Sequence, residues 1–311
     1  MIDFIQNKKI FFTISALLLV PGTISLFVNG LKLGIDFTGG SRLEFGGEKI
    51  KEAQVQDIRS IIEETNISID IVQKTGEGNF AIRTEGIQQE KANEIQEKLN
   101  NSYENTQLLR FESVGPTIGS ELARNALVAL VLSWTLIVAY LAYSFRSVPK
   151  PTTSLQFGIT AIIALIHDAL FVIGTFSILG ATLGVEVDAL FVTALLTIVG
   201  FSVHDTIVVY DRIRENLIKK KGKSFNESVN IALNETLARS INTSGTVLVV
   251  LVALLVFGGE TIRYFALALT LGVLAGAYSS IGIAAQLLTV WQDIQAKRIL
   301  KASMVRKNTI S

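Results

Sequence analysis

The sequence predicts a polytopic α-helical membrane protein with six transmembrane helices and one exported α+β domain. Three observations carry this reading. Of 311 residues, 49% are hydrophobic and 18% charged, with a mean hydropathy of +0.46, the balance of a membrane chain with a modest soluble part. Six apolar segments run roughly from Ile10 to Val28, Ala126 to Phe145, Leu155 to Leu179, Ala189 to Tyr210, Thr243 to Phe257 and Phe265 to Leu288. Most approach or exceed the roughly 20 residues that cross about 30 Å of hydrocarbon as helix. Between the first two segments, residues 31–122 lose this character and alternate strand-like and helix-like periodicities.

Residues 1–30 read as a cytoplasmic N-terminus and first span. The apolar core of that span exceeds the roughly 7–15 residues of a cleavable signal, and no small-residue cleavage site clearly follows, so it is permanent. In 31–122, SRLEFGG alternates as a strand, and IKEAQVQDIRSIIEET sets Val55, Ile58, Ile61 and Ile62 on one helical face. ISIDIVQKT and NFAIRTE are strands joined around TGEG; IQQEKANEIQEKLNN is a second amphipathic helix with Ile87, Ile95 and Leu99; TQLLRFESV is a last strand. The order βαββαβ is the ferredoxin-like split βαβ pattern, with both helices on one face of the sheet. Residues 123–290 hold spans two to six, with a cytoplasmic loop at about 211–240, and 291–311 form a basic cytoplasmic tail. SFNE, Ser224 to Glu227, fits a capping box opening a helix towards Arg239. That helix extends the short fifth span inward.

Orientation follows from the cations in short connections. Lys8 and Lys9 precede span one, Arg146 and Lys150 lie between spans two and three, and Arg212, Arg214 and Lys219 to Lys223 lie between four and five; the tail adds Lys297, Arg298, Lys301, Arg306 and Lys307. The opposite side carries Glu186, Asp188 and Arg263. Both termini are therefore expected in the cytoplasm, and 31–122 outside a cytoplasmic (inner) membrane. The Lys219 to Lys223 cluster obeys this rule most simply and also suits anionic membrane lipid.

Composition excludes several classes. A net charge of +1 is no nucleic-acid surface, and with no cysteine and two histidines there is neither a disulfide framework nor an evident metal site. No nucleophile and base arrangement appears, so neither an enzyme nor a cofactor is expected. GIDFTGG lacks the lysine and hydroxyl residue of a phosphate loop. Its glycines suit a tight path from span one into the first strand, with Asp36 and Thr38 bonding the turn. GPTIGSEL, with Pro116 and Gly119, looks like a joint opening a helix.

Within the spans, the ionisable groups clearly away from the ends are His167, Asp168, His204 and Asp205. An ionised aspartate there costs about 2.5–3.5 kcal/mol on insertion scales, so it faces a bundle interior with a partner or a job. Hydrogen bonding between helices is the plainer alternative. Spans three and four run antiparallel with a short connection and are expected as neighbours, which allows a contact between the two His-Asp pairs, although their depths need not coincide. Asp168, with His167, is a second relay candidate or helix-packing polarity. Gly272 and Gly276 in GVLAG are a close-packing signal, read as packing within the bundle.

LGIDFTGGSRLEF (Leu33 to Phe45), VGPTIGSELARNAL (Val114 to Leu127), HDALFVIG and HDTIVVYDRIREN occur in this order. Together they closely resemble the SecF family, the smaller of the paired SecD and SecF subunits that assist bacterial protein export. The resemblance implies an accessory subunit of the Sec translocase, of the resistance-nodulation-division type, that draws on the proton gradient. Its implied partners are a SecD-like subunit, the SecYEG translocon and translocating unfolded polypeptide. It singles out Asp205 as the proton-carrying carboxylate and Arg239 as its basic counterpart. It also marks Gly34, Asp36, Phe37, Thr38, Gly39 and Gly40, with Gly115, Pro116 and Gly119, as motifs that couple domain and membrane movement. SecF proteins commonly carry asparagine before this aspartate; here His204 stands there, read either as a packed neutral imidazole or as an extension of a proton path. An autonomous half-size exporter of small molecules and a purely structural clamp on a translocon are the alternatives.

Overall fold

The computed structural model describes residues 2–75, 78–146 and 148–310. From the N-terminus run α1 (Lys8–Asn29), a one-turn α2 (Ile35–Thr38), β1 (Gly40–Gly46), α3 (Val55–Glu63), β2 (Ile69–Lys74), β3 (Phe80–Thr84), α4 (Gln89–Ser102) and β4 (Gln107–Val114). There follow α5 (Pro116–Ser144), α6 (Ser154–Leu183), α7 (Ala189–Ile218), α8 (Phe225–Phe257), α9 (Glu260–Ser279) and α10 (Ala285–Ile310), with a π-helical turn at Ser280–Ala284. Two compact units result, Leu33–Val128 and Met1–Lys32 with Ala129–Ser311.

Among the described residues, six helical stretches are long and apolar enough to cross a membrane, the sixth being Thr261–Arg298. Each outruns its apolar segment, because hydropathy marks only the part that suits hydrocarbon while capping sets the ends. Pro116 starts α5 ten residues before Ala126, a first-turn position where proline forfeits no hydrogen bond. Thr153 and Gln156 cap α6 reciprocally, at 3.4 Å and 2.9 Å, and Gly184 ends it at φ 69°. Ser224 caps α8 by accepting from Glu227 N at 3.2 Å. The Glu227 carboxylate accepts from Lys223 N at 2.6 Å, one residue outside the reciprocal pattern expected.

The centre of this unit follows from burial. Half of the apolar window of α6 and of α7 is buried and 67% of the sixth span's, against 11% for α1, 6% for α5 and 17% for α8. Around Tyr210, Phe145 and Phe157 pack at 5.5 and 4.8 Å between ring centroids, and the phenol bonds Thr160 Oγ1 at 2.6 Å. Gly22 and Gly174 bring α1 onto α6, since a Cβ on either would meet the other's backbone at 2.9 or 2.8 Å. Residues 2–5 lie along α8. Asn234 Oδ1 accepts from Ile2 N and Asn230 Oδ1 from Phe4 N, both at 2.9 Å, while Gln286 Nε2 donates to Phe4 O at 3.2 Å.

In Leu33–Val128 the four strands pair antiparallel in the order β2-β3-β1-β4. With α3 after β1 and α4 after β3, this is the split βαβ connectivity expected. Leu43, Phe45, Phe80 and Ile82 point inward against Ile58, Ile62, Ile95 and Leu99, all fully buried. On the other face of β1, Arg42 sits opposite Glu112 and Glu44 opposite Arg110, opposite-charge pairs that support this register. Two details differ from expectation. Val55, at the first turn of α3, is 40% exposed, and Ile87 packs on the core from outside α4. At TGEG, Thr75 N bonds Asn79 O at 2.7 Å; Gly76 and Glu77 lie outside the described residues, as do the side chains of Lys301, Arg306 and Lys307.

Candidate functional site

Asp205 stands on the buried face of α7, 2% exposed. Its carboxylate accepts from Ser244 Oγ of α8 at 3.5 Å, the long limit of a hydrogen bond. One turn earlier on α8, Ser240 Oγ is buried without a partner. Arg239 is exposed, and among the described residues it forms no ion pair with Asp205. His204 is exposed too. Successive helical residues diverge by about 100°, so turning Asp205 inward turns His204 out.

Three residues before Asp205, and on the same face, Ser202 Oγ donates to Asp168 Oδ2 at 2.5 Å. Asp168 is fully buried. Ser279 Oγ of α9 reaches the same oxygen at 2.6 Å, and His167 Nδ1 lies 2.9 Å from Oδ1. The His167 ring packs on Tyr278 at 6.2 Å between centroids, and the Tyr278 hydroxyl donates to Phe11 O of α1 at 2.6 Å. Gly276 permits this convergence: a Cβ there would sit 3.1 Å from Ser202 Cα. At Gly272 a Cβ would sit 2.2 Å from Ile198 Cγ1. Both glycines thus face α7 within the chain.

The GIDFTGG and GPTIG stretches meet in the unit Leu33–Val128. α2 is capped at Gly34, and the Thr38 hydroxyl lies 3.1 Å from Gly34 O and from Gly39 O. Arg83 of β3 donates to Leu33 O at 2.8 Å and to Thr38 Oγ1 at 2.5 Å. Gly39 and Gly40 have φ of +73° and +115°, values side chains rarely adopt. A Cβ on Gly39 would sit 3.0 Å from Pro116 Cα, and one on Gly119 2.9 Å from Gly39 N. Asp36 and Phe37 lie in α2. Gly115 has open space where a Cβ would be.

Sequence reading missed Ser202, Ser244, Ser279, Tyr278 and Arg83. Serine spacing held a signal for the first two, since Ser202 is three residues from Asp205 and Ser240 four from Ser244; Ser279 and Arg83 come from distant segments. Among the described residues no group of three His, Asp or Glu could hold a metal ion.

Residues 94–294 match the family model for the protein export membrane protein SecD/SecF, C-terminal, and residues 24–49 match the SecD/SecF GG motif. The chain belongs to the SecD/SecF family. It is 44% identical to the protein translocase subunit SecF of Thermobaculum terrenum over 97% of both chains. To the SecDF subunit of Bacillus subtilis it is 37% identical, covering 95% of this chain and 39% of that one. The crystal structure of SecDF from Thermus thermophilus, a translocon-associated membrane protein, superposes with a TM-score of 0.81 at 33% identity, over 94% of this chain and 39% of that one. A SecDF structure in a super-membrane-facing form gives 0.69 at the same identity, over 97% of this chain and 40% of that one. The SecD/SecF motif glycines and Thr38 fall in the first matched region, and Asp168, Asp205 and Arg239 in the second.

Proposed function

We propose that the chain is the SecF-type accessory subunit of the Sec translocase and that it promotes late-stage export of polypeptide across the cytoplasmic membrane by letting protons pass through Asp205. The observation that carries the reading is a carboxylate, 2% exposed on a membrane-length helix, held by a long hydrogen bond from a serine. A carboxylate so weakly held gains little from its protein partners when ionised, while hydrocarbon opposes its charge by about 2.5–3.5 kcal/mol on insertion scales. Its ionised and neutral forms are thus near enough in free energy to exchange as access changes. Arg239 serves as the mobile counter-charge, approaching from the exposed side of α8 in another state of the cycle.

A SecD-like subunit is the proposed partner. The chain spans nearly the whole of its SecF relatives and about two-fifths of SecDF chains. On α7, Thr193, Thr197 and His204 are exposed at helical spacing, as are Arg239, Asn242 and Thr246 on α8. Such faces are poorly suited to lipid and suit a second membrane protein. SecYEG and an unfolded polypeptide complete the assembly, with both termini of this chain cytoplasmic.

The test is late-stage translocation into energised vesicles with ATP-driven early steps held constant. Asp205→Asn preserves shape and removes titration, so gradient stimulation is lost while assembly with the partner survives; Asp205→Glu keeps part of it. Gradient dependence in Asp205→Asn equal to the unmodified chain would overturn the relay and leave a structural clamp.

A further inference from the structure

We propose that Asp168 is a second proton-binding carboxylate of the membrane unit, coupled to Asp205 through Ser202. This rests on the relay reading of Asp205 and deepens it. The geometry can hold an ionised acid: two hydroxyls donate to one oxygen at 2.5 and 2.6 Å, and an imidazole nitrogen lies 2.9 Å from the other. Hydroxyl to carboxylate distances of about 2.5–2.7 Å are those of charge-assisted bonds. No lysine or arginine joins the cluster among the described residues. Its neighbours are His167 on the same helix, Ser202 and then Asp205 along α7, Ser279 and Tyr278 on α9, and through Tyr278 the α1 groups Ser15 and Phe11 O.

The arriving proton goes to Asp168 and not to His167. His167 Nε2 is buried without a partner, so an imidazolium would bury an unpaired N–H, whereas a neutral imidazole donating from Nδ1 leaves only an idle acceptor. Uptake forms one O–H bond on Asp168 Oδ2, and release returns the same proton. That oxygen then carries a hydrogen and cannot accept from both serines. Ser279 has a second acceptor in reach, Gly276 O at 3.4 Å; it turns there and accepts from the new O–H. Protonation therefore exchanges the bonds that tie α9 to α6 and leaves Ser202, on α7, with a weaker acceptor. The π-helical turn beginning at Ser280 adjoins the serine that moves, and such turns occur often where helices do functional work. Because Ser202 and Asp205 share a face one turn apart, a change in the bond that Ser202 makes to Asp168 is passed along α7 to the surroundings of Asp205.

The experiment is pH-difference infrared spectroscopy of the carboxyl C=O bands, on the full chain with its SecD-like partner in lipid nanodiscs. Two titrating bands are expected, one abolished by Asp205→Asn and the other by Asp168→Asn. Asp168→Asn also moves the midpoint of the Asp205 band, and Ser202→Ala keeps both bands but changes that midpoint. Asp168→Glu, which keeps a titrating band at a displaced position, is the second variant if the asparagine form does not assemble. If replacing Asp168 removes no band, or the Asp205 midpoint stays where it was, the proposal is wrong. Gradient-stimulated export measured on the same variants separates the two readings: a coupled Asp168 band in a chain whose Asp205→Asn form exports normally would sink the relay and leave this site standing.

Discussion

His204 and Asp205 are adjacent in sequence and face opposite surroundings in the fold. That divergence makes distinct predictions for the two. His204→Asn should leave the unfolding midpoint of the chain in detergent almost unmoved, within about 0.5 kcal/mol, as is usual for substitutions away from buried contacts. Arg239→Ala should likewise spare stability while reducing gradient-stimulated export, because its side chain is exposed and acts on Asp205 by charge rather than by contact; a large fall in thermal stability would contradict this. The positions of both buried acids were legible in the sequence, since a charge inside an apolar run is conspicuous. Their partners were not. Ser202, Ser244 and Ser279 are ordinary helix residues until the rotation and depth of three packed helices are known, and those depend on contacts such as Gly276 against the α7 backbone.

At the scale of elements, close approach decides what can be changed. Gly276→Leu would force a side chain onto Ser202 and Gly39→Ala one onto Pro116 in a left-handed conformation. Overpacking of this kind costs about 1–3 kcal/mol. Gly245→Leu, where a Cβ meets open space, is the control, and thermal unfolding of the three variants should rank them accordingly. The sequence supplied the number of spans and the strand and helix order through period and hydropathy. It understated lengths, because α5 and α8 begin in more polar sequence, at a first-turn proline and at a capping serine, well before their apolar segments. It could not show that GIDFTGG folds a helical turn against the start of α5, since the two stretches are separated by the whole four-stranded sheet.

For the molecule as a whole, the absence of cysteine makes sidedness directly measurable. Glu104 is exposed in the unit Leu33–Val128 and Lys223 in the loop between α7 and α8. In intact cells, an impermeant maleimide should label Glu104→Cys and spare Lys223→Cys until the membrane is opened. Labelling in the reverse order would invert the topology. The partner is tested by purification from native membranes, where a SecD-like chain should accompany this one in stoichiometric amount.

The asparagine rungs that hold residues 2–5 have a consequence for biosynthesis. Ile2 and Phe4 leave the ribosome long before Asn230, Asn234 and Gln286, the side chains that bind their backbone. The bundle therefore cannot latch early in its insertion; its opening residues must wait for α8 and then α10, and contacts so distant in sequence form late. A nascent chain arrested after α7 should still expose residue 4, replaced by cysteine, to a thiol reagent, and release of the complete chain should protect it. Asn230→Ala with Asn234→Ala would remove two such rungs and keep that residue reactive in the finished protein.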